Sequence, residues 1–132
     1  MSTLSKYMET SERRIPRLMM AVIEGYPLGN LEAAMEELAY VASEYLEIAE
    51  MLKEKAIRLT DETKRRILND AVYVLENAYD EFTKVRKNVK ANLKNNGVVA
   101  EFLLEQIAII MEEFREINKA LMELVRIRWW EW

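Results

Sequence analysis

Apolar residues recur at three- and four-residue spacing along almost the whole chain, and the breaks in that rhythm divide it into four helical segments. The first, residues 3–24, keeps Leu4, Tyr7, Met8, Ser11, Ile15, Leu18, Met19 and Val22 in register. Pro16 falls inside it, removing a backbone donor and clashing with the preceding turn. Either one helix kinks near Glu12–Ile15 or a short helix ends there and Pro16 opens a second; because the register survives the proline, the kink is preferred. Gly25-Tyr26-Pro27-Leu28-Gly29 is the loop with the strongest breaker chemistry. Asn30 is the expected N-cap of the second segment, with Glu32 in its positively polarised first turn. Its seam is Leu31, Met35, Leu38, Ala42, Tyr45, Ala49, Leu52, Ala56 and Leu59, where alanines alternating with large residues permit close helix approach. Thr60, followed by Asp61 and Glu62, reads as the next N-cap, so the connection is very short and the second and third segments are antiparallel neighbours.

The third segment runs from about Asp61 to Lys94 on a seam of Leu68, Ala71, Leu75, Ala78, Phe82, Val85 and Val89, and Asn95-Asn96-Gly97 stops it. The fourth, 98–127, carries two ladders. One is Leu103, Ile107, Ile110, Phe114, Ile117, Leu121 and Leu124; the other is Phe102, Leu104, Ile109, Met111 and Val125. Ile107 to Met111 is apolar at all five positions, and a helix apolar most of the way round is usually buried by several partners. It is therefore expected to be the central helix of a bundle, or the helix that carries an oligomer interface. The fold class predicted is all-α, one domain over 1–132: an elongated antiparallel bundle of three long helices plus a kinked N-terminal helix, four-helix-bundle-like.

Composition agrees and adds boundaries. Hydrophobic residues make up 51% and charged residues 32%, with three Gly and two Pro. No apolar run approaches the ~20 residues needed to span a bilayer. Met-Ser-Thr-Leu-Ser-Lys lacks the basic-then-apolar design of a secretory signal, and there is no cysteine, so an intracellular (cytoplasmic) location is expected. One glutamine among many glutamates and basic residues leans towards a thermophilic source.

The absences limit the chemistry. Without His or Cys the common general base, the thiolate nucleophile and nitrogen or sulfur metal ligands are missing. Di-iron carboxylate bundles, which need Glu-x-x-His pairs, are excluded, and no glycine pair forms a phosphate loop. No cofactor, metal or catalytic residue is expected. The nearest thing to a site is Glu44, Glu47 and Glu50 on the second segment with Glu76, Asp80 and Glu81 on the third. This set distantly resembles the all-α nucleotide pyrophosphohydrolases, which use Glu-x-x-Glu and Glu-x-x-Asp on facing helices. The resemblance implies a Mg²⁺-dependent nucleotide hydrolase, but Glu76 and Asp80 are four residues apart rather than three. Glu47, Glu50, Glu76 and Asp80 also fall on the outer face of the heptad pattern, whereas a metal cage needs ligands pointing inwards.

Charge is segregated. Between Leu18 and Leu52 there are only acids, whereas Lys84, Arg86, Lys87, Lys90 and Lys94 form a run without an acid. That run is the candidate contact for a nucleic-acid backbone. Geometry offers a competing reading: an antiparallel second and third segment lays Glu32 and Glu36 beside Lys84 to Lys90, neutralising both blocks. A net charge of −4 also disfavours a dedicated phosphate binder. A smaller basic cluster, Arg13, Arg14 and Arg17, reads as a solvated or acid-paired face. All three tryptophans, Trp129, Trp130 and Trp132, lie in the last four residues, and Trp is enriched at interface hot spots. They are expected to pack within the bundle or a dimer in preference to a membrane interface. The sequence therefore predicts a non-enzymatic structural or interaction protein, a homodimer or larger homo-oligomer. Its expected interface is Phe102, Ile109, Met111, Val125, Trp129, Trp130 and Trp132, a separate protein partner remains compatible, and a nucleic-acid-binding helical subunit is the rival reading.

Overall fold

The computed structural model describes residues 28–95 and 100–132. Three helices follow one another: α1 (Leu28–Arg58), α2 (Glu62–Asn95) and α3 (Ala100–Arg126), then a single 3-10 turn at Trp129–Glu131. They correspond to the second, third and fourth segments, and no strand occurs among the described residues. The kinked N-terminal helix, Pro16, the loop at 25–27 and the stop at 96–97 lie outside the described residues, as do the side chains of Leu31, Lys94, Leu103 and Leu104.

The seams form as their spacing requires. Met35, Leu38, Ala42, Tyr45, Ala49, Leu52 and Ala56 of α1 are buried, and so are Leu68, Ala71, Leu75, Ala78, Phe82, Val85 and Val89 of α2. Ile107, Ile110, Ile117, Leu121 and Leu124 complete the core from α3, with Phe114 half-buried at its edge. Burying one such large side chain stabilises by about 1.5–3 kcal/mol, so the core outweighs every other contribution. Tyr45 and Phe82 meet across α1 and α2 with ring centroids 6.2 Å apart, which fixes the level at which the two helices pair.

Three details differ from the expectation. The first concerns the helix starts. α1 already includes Leu28 and Gly29, so Asn30 lies inside the first turn, which contains no acid, and Glu32 falls beyond it. Asp61, not Thr60, caps α2: its Oδ1 accepts the backbone N–H of Lys64 at 3.0 Å, the bond an N-cap makes to the third helical residue. A carboxylate there also complements the helix dipole better than a threonine hydroxyl. Arg65 adds a brace, donating to the Leu59 carbonyl oxygen at 2.8 Å.

The second difference is which helix is central. Among the described residues α2 packs along both α1 and α3, whereas α1 and α3 do not run together at close backbone distance. α2 occupies the middle because it offers two seams, and its buried alanines let a neighbour come close without raising overall hydropathy. The third difference is the chain end. α3 stops at Arg126, and Arg128 adopts a left-handed conformation at φ 55°, ψ 52°. For a non-glycine residue this costs roughly 1–2 kcal/mol. The reversal turns Trp129 back onto the bundle, where it is buried against the core.

Candidate functional site: helix α3 and the tryptophan cap

The tail closes the end of the bundle where α1 meets α2. Trp129 and Trp130, with Met51, Glu54, Lys55 and Arg58 of α1, line a cavity of about 300 Å³. Lys64, in the first turn of α2, sits 5.4 Å from the Trp132 ring centroid, a cation–π distance. Trp129 packs within the chain; Trp132 is half-buried against the core, and Trp130 is the exposed member, at 37%. The Trp129 indole Nε1 is buried with no acceptor among the described residues. The arginines beside the tail are engaged: Arg126 grips Glu123 with two nitrogens, and Arg128 pairs with Glu131. The Arg126 hydrogen bond holds the Glu123 carboxyl below the usual range. A tail whose cations are already paired offers little to an anionic membrane surface, and no helix among the described residues is long and apolar enough to cross a membrane.

Along α3 the remaining expected interface residues do not share a face. At 100° per residue, Phe102 and Ile109 lie on the flank nearer Glu113, whose carboxyl faces Asn77 and Glu81 of α2; both are half-buried against the core. Met111 and Val125 lie on the opposite flank with Phe114 and Met122. Met111 is 43% exposed and Met122 55%, while Val125 and Phe114 are half-buried. Met122 was not among the expected interface residues, although its position three before Val125 and eleven after Met111 puts it on their stripe. The exposed large apolar side chains of α3, among the described residues, are thus Met111 and Met122 on one flank.

The basic run of α2 is mostly spoken for. Arg86 and Lys90 both donate to Glu36 Oε1, at 3.0 and 2.7 Å, and Lys84 reaches Glu81 at 3.3 Å. The Lys90 and Arg86 hydrogen bonds hold the Glu36 carboxyl below its ordinary value. Lys87 is exposed, with no ion pair among the described residues, and the Lys94 side chain lies outside them. Thr83, Arg86, Lys87, Lys90 and Ala91 line a concavity of about 380 Å³. Opposite-block neutralisation, one of the two sequence readings of this run, is therefore visible at Glu36.

The carboxylates do not form a cage. Glu50 and Glu76 both reach Lys53, at 3.4 and 3.2 Å, and no three acids converge on a metal-sized point among the described residues. Glu113 is the acid in the least comfortable setting: partial burial, then the charges of Glu81 and Glu112, raise its pKa, while a hydrogen bond with Asn77 pulls the other way. Among the described residues Gln106 is the buried polar side chain of the core, its Oε1 without a partner; Arg86 Nε is buried without an acceptor too. No protein-family model, curated protein or solved structure matches the chain.

Proposed function

We propose that this chain is a non-enzymatic structural or interaction protein that works as a homodimer or larger homo-oligomer. Residues 3–24, as a kinked helix, are the fourth member of its bundle. The observation that carries the self-association reading is the Met111–Met122 edge. Two flexible, polarizable side chains stand exposed on one flank of a helix whose extensive close backbone contacts, among the described residues, are with α2. Methionine suits a surface that buries against another, because its unbranched thioether adapts to the opposing shape. Trp130 is exposed as well, at the capped end of the bundle, and Trp is a residue type enriched at interface hot spots. Absence of His and Cys supports a binding role over catalysis.

Light scattering tests this on the intact chain and on the double variant Met111→Lys, Met122→Lys. Both sites are exposed, so the fold should persist by circular dichroism. The expected outcome is a dimer or larger that falls to monomer in the variant. An intact chain that is monomeric at high micromolar concentration overturns the reading.

A further inference from the structure

Charge, aromatic surface and open volume coincide at the tryptophan cap. The cavity of about 300 Å³ between the last turns of α1 and the tail is walled by Met51, Glu54, Lys55, Arg58, Trp129 and Trp130. The four α1 residues form one stripe, because positions three and four apart share a helix face. The tail supplies the opposite wall because the chain reverses at the left-handed Arg128. Such a volume is at the small end of the ~300–1,000 Å³ range of ligand pockets, enough for one aromatic ring and a short polar arm.

Its lining selects for an anion. Lys55 and Arg58 make no ion pair among the described residues, whereas nearby Lys53 is held by Glu50 and Glu76. Both lie in the last turn of α1, where cations complement the helix dipole, but two full charges exceed the roughly half-charge of a helix end. Glu54 offsets one of them and leaves the rim net positive. Trp129 is the buried inner wall, and its indole Nε1 has no acceptor. Water does not reach that donor, so its partner has to arrive with a group that enters against the wall. Met51 and the exposed Trp130 line the rest with polarizable surface, which suits the face of a ring.

We propose that this cavity binds a small aromatic carboxylate. Its ring lies against Met51 and Trp130, its carboxylate is held by Lys55 and Arg58, and one oxygen accepts the unpaired Trp129 N–H. The planar guanidinium of Arg58 matches both carboxylate oxygens, which fixes orientation as well as charge. Every lining residue belongs to one chain, so the site does not rest on self-association. That reading is carried by Met111 and Met122, and Trp130 is the residue the two have in common.

All three tryptophans lie in the last four residues, so the intrinsic fluorescence of the chain reports on this end alone. Phenylpropionate, which does not absorb at the red edge of tryptophan excitation, is the probe, and its uncharged amide is the control. The expected result is a saturable fluorescence change with the acid. Binding should be about tenfold weaker for the amide, and about tenfold weaker for the acid in the double variant Lys55→Gln, Arg58→Gln, whose sites lie outside the core. Glu54→Gln removes the one opposing charge and should tighten binding about threefold, which keeps the test decisive if the double variant loses helix by circular dichroism. No saturable change at millimolar acid overturns the proposal. Equal affinity for acid and amide overturns it too, since the cavity would then be an apolar crevice. The Met111→Lys, Met122→Lys variant is expected to bind as the intact chain does; loss of binding there would make the site a product of assembly and overturn its single-chain basis. Light scattering reads the oligomer independently, so the two readings fail separately.

Discussion

The α1–α2 and α2–α3 contacts are built from the same central helix and differ in almost every other respect. Across α1–α2 the buried set includes Ala42, Ala49 and Ala56 on one side and Ala71 and Ala78 on the other, and the backbones approach closely over much of their length. Among the described residues α3 contributes no buried alanine; Ile107, Ile110, Ile117, Leu121 and Leu124 hold its axis further off. Charge follows the same division. Glu36 with Arg86 and Lys90, and Lys53 with Glu76, cross from α1 to α2 as attractive pairs. Across α2–α3 the notable charge contact is repulsive, Glu81 against Glu113, softened by Asn77. One contact is complementary in shape and sign, while the other relies on bulk apolar burial. The difference marks α1–α2 as the more closely matched of the two contacts.

The strongest way to break that comparison is to remove a large side chain at its shared centre. Phe82→Ala, in a fully packed site, should lose about 3–5 kcal/mol by urea unfolding and affect both contacts. A loss below about 1 kcal/mol would mean the core is looser than its burial indicates. Ala49→Leu tests the close approach itself. Forcing extra methylenes between α1 and α2 should cost about 1–3 kcal/mol, whereas the matching change at Ala120, half-buried on α3, should be close to neutral. Equal effects at both sites would erase the distinction. Gln106→Leu removes a buried acceptor that has no partner from the α3 face, and a gain of about 1 kcal/mol is expected. A loss would reveal a hydrogen bond made by its amide.

The smallest effects come from the two carboxyls and should have opposite signs. The Glu36 pKa is lowered in the folded chain, so its contribution is present above the ordinary value of 4.5 and fades as pH falls through the folded value. The Glu113 pKa is raised, so the folded state binds the proton more tightly; its contribution is full below 4.5 and is lost as pH rises through the folded value. At pH 7, Glu36→Gln should therefore destabilise slightly and Glu113→Gln should stabilise slightly. Both groups are largely in water and screened, so urea midpoints in low salt are the sensitive readout. Shifts of the same sign would show that the charge contrast between the two contacts is not felt by the fold.

Much of this arrangement could be read in the sequence. The helical seams of α1 and α2 are legible because three-four spacing and burial are the same fact viewed twice, and every seam position from Met35 to Ala56 is buried. The place of α2 between its two neighbours is less legible. The continuous apolar stretch Ile107–Met111 draws the eye to the fourth segment, but Met111 is substantially exposed, and the small buried Ala71 and Ala78 of α2 carry little hydropathic signal. The cap at Asp61 was hidden by the adjacent Thr60, since both residue types cap and only backbone geometry chooses. The tail could be recognised as apolar, but a left-handed Arg128 has no propensity signature, so the reversal that buries Trp129 was not readable. The candidate interface was only partly legible, because Phe102 and Ile109 look as adhesive as Met111 until the helix is rotated against α2.

The connection capped by Asp61 also bears on how the chain finds its structure. Leu59, Thr60 and Asp61 are all that separate α1 from α2, so the contacts nearest the turn, such as Arg65 with the Leu59 carbonyl, close a loop of very few residues. Short loops close with little loss of chain entropy and within tens of nanoseconds, well ahead of any docking by α3. The hairpin end around Asp61 is thus where a folding nucleus belongs. Interactions there act on the rate of folding, and those of α3 and its tryptophans act on the rate at which the finished bundle comes apart.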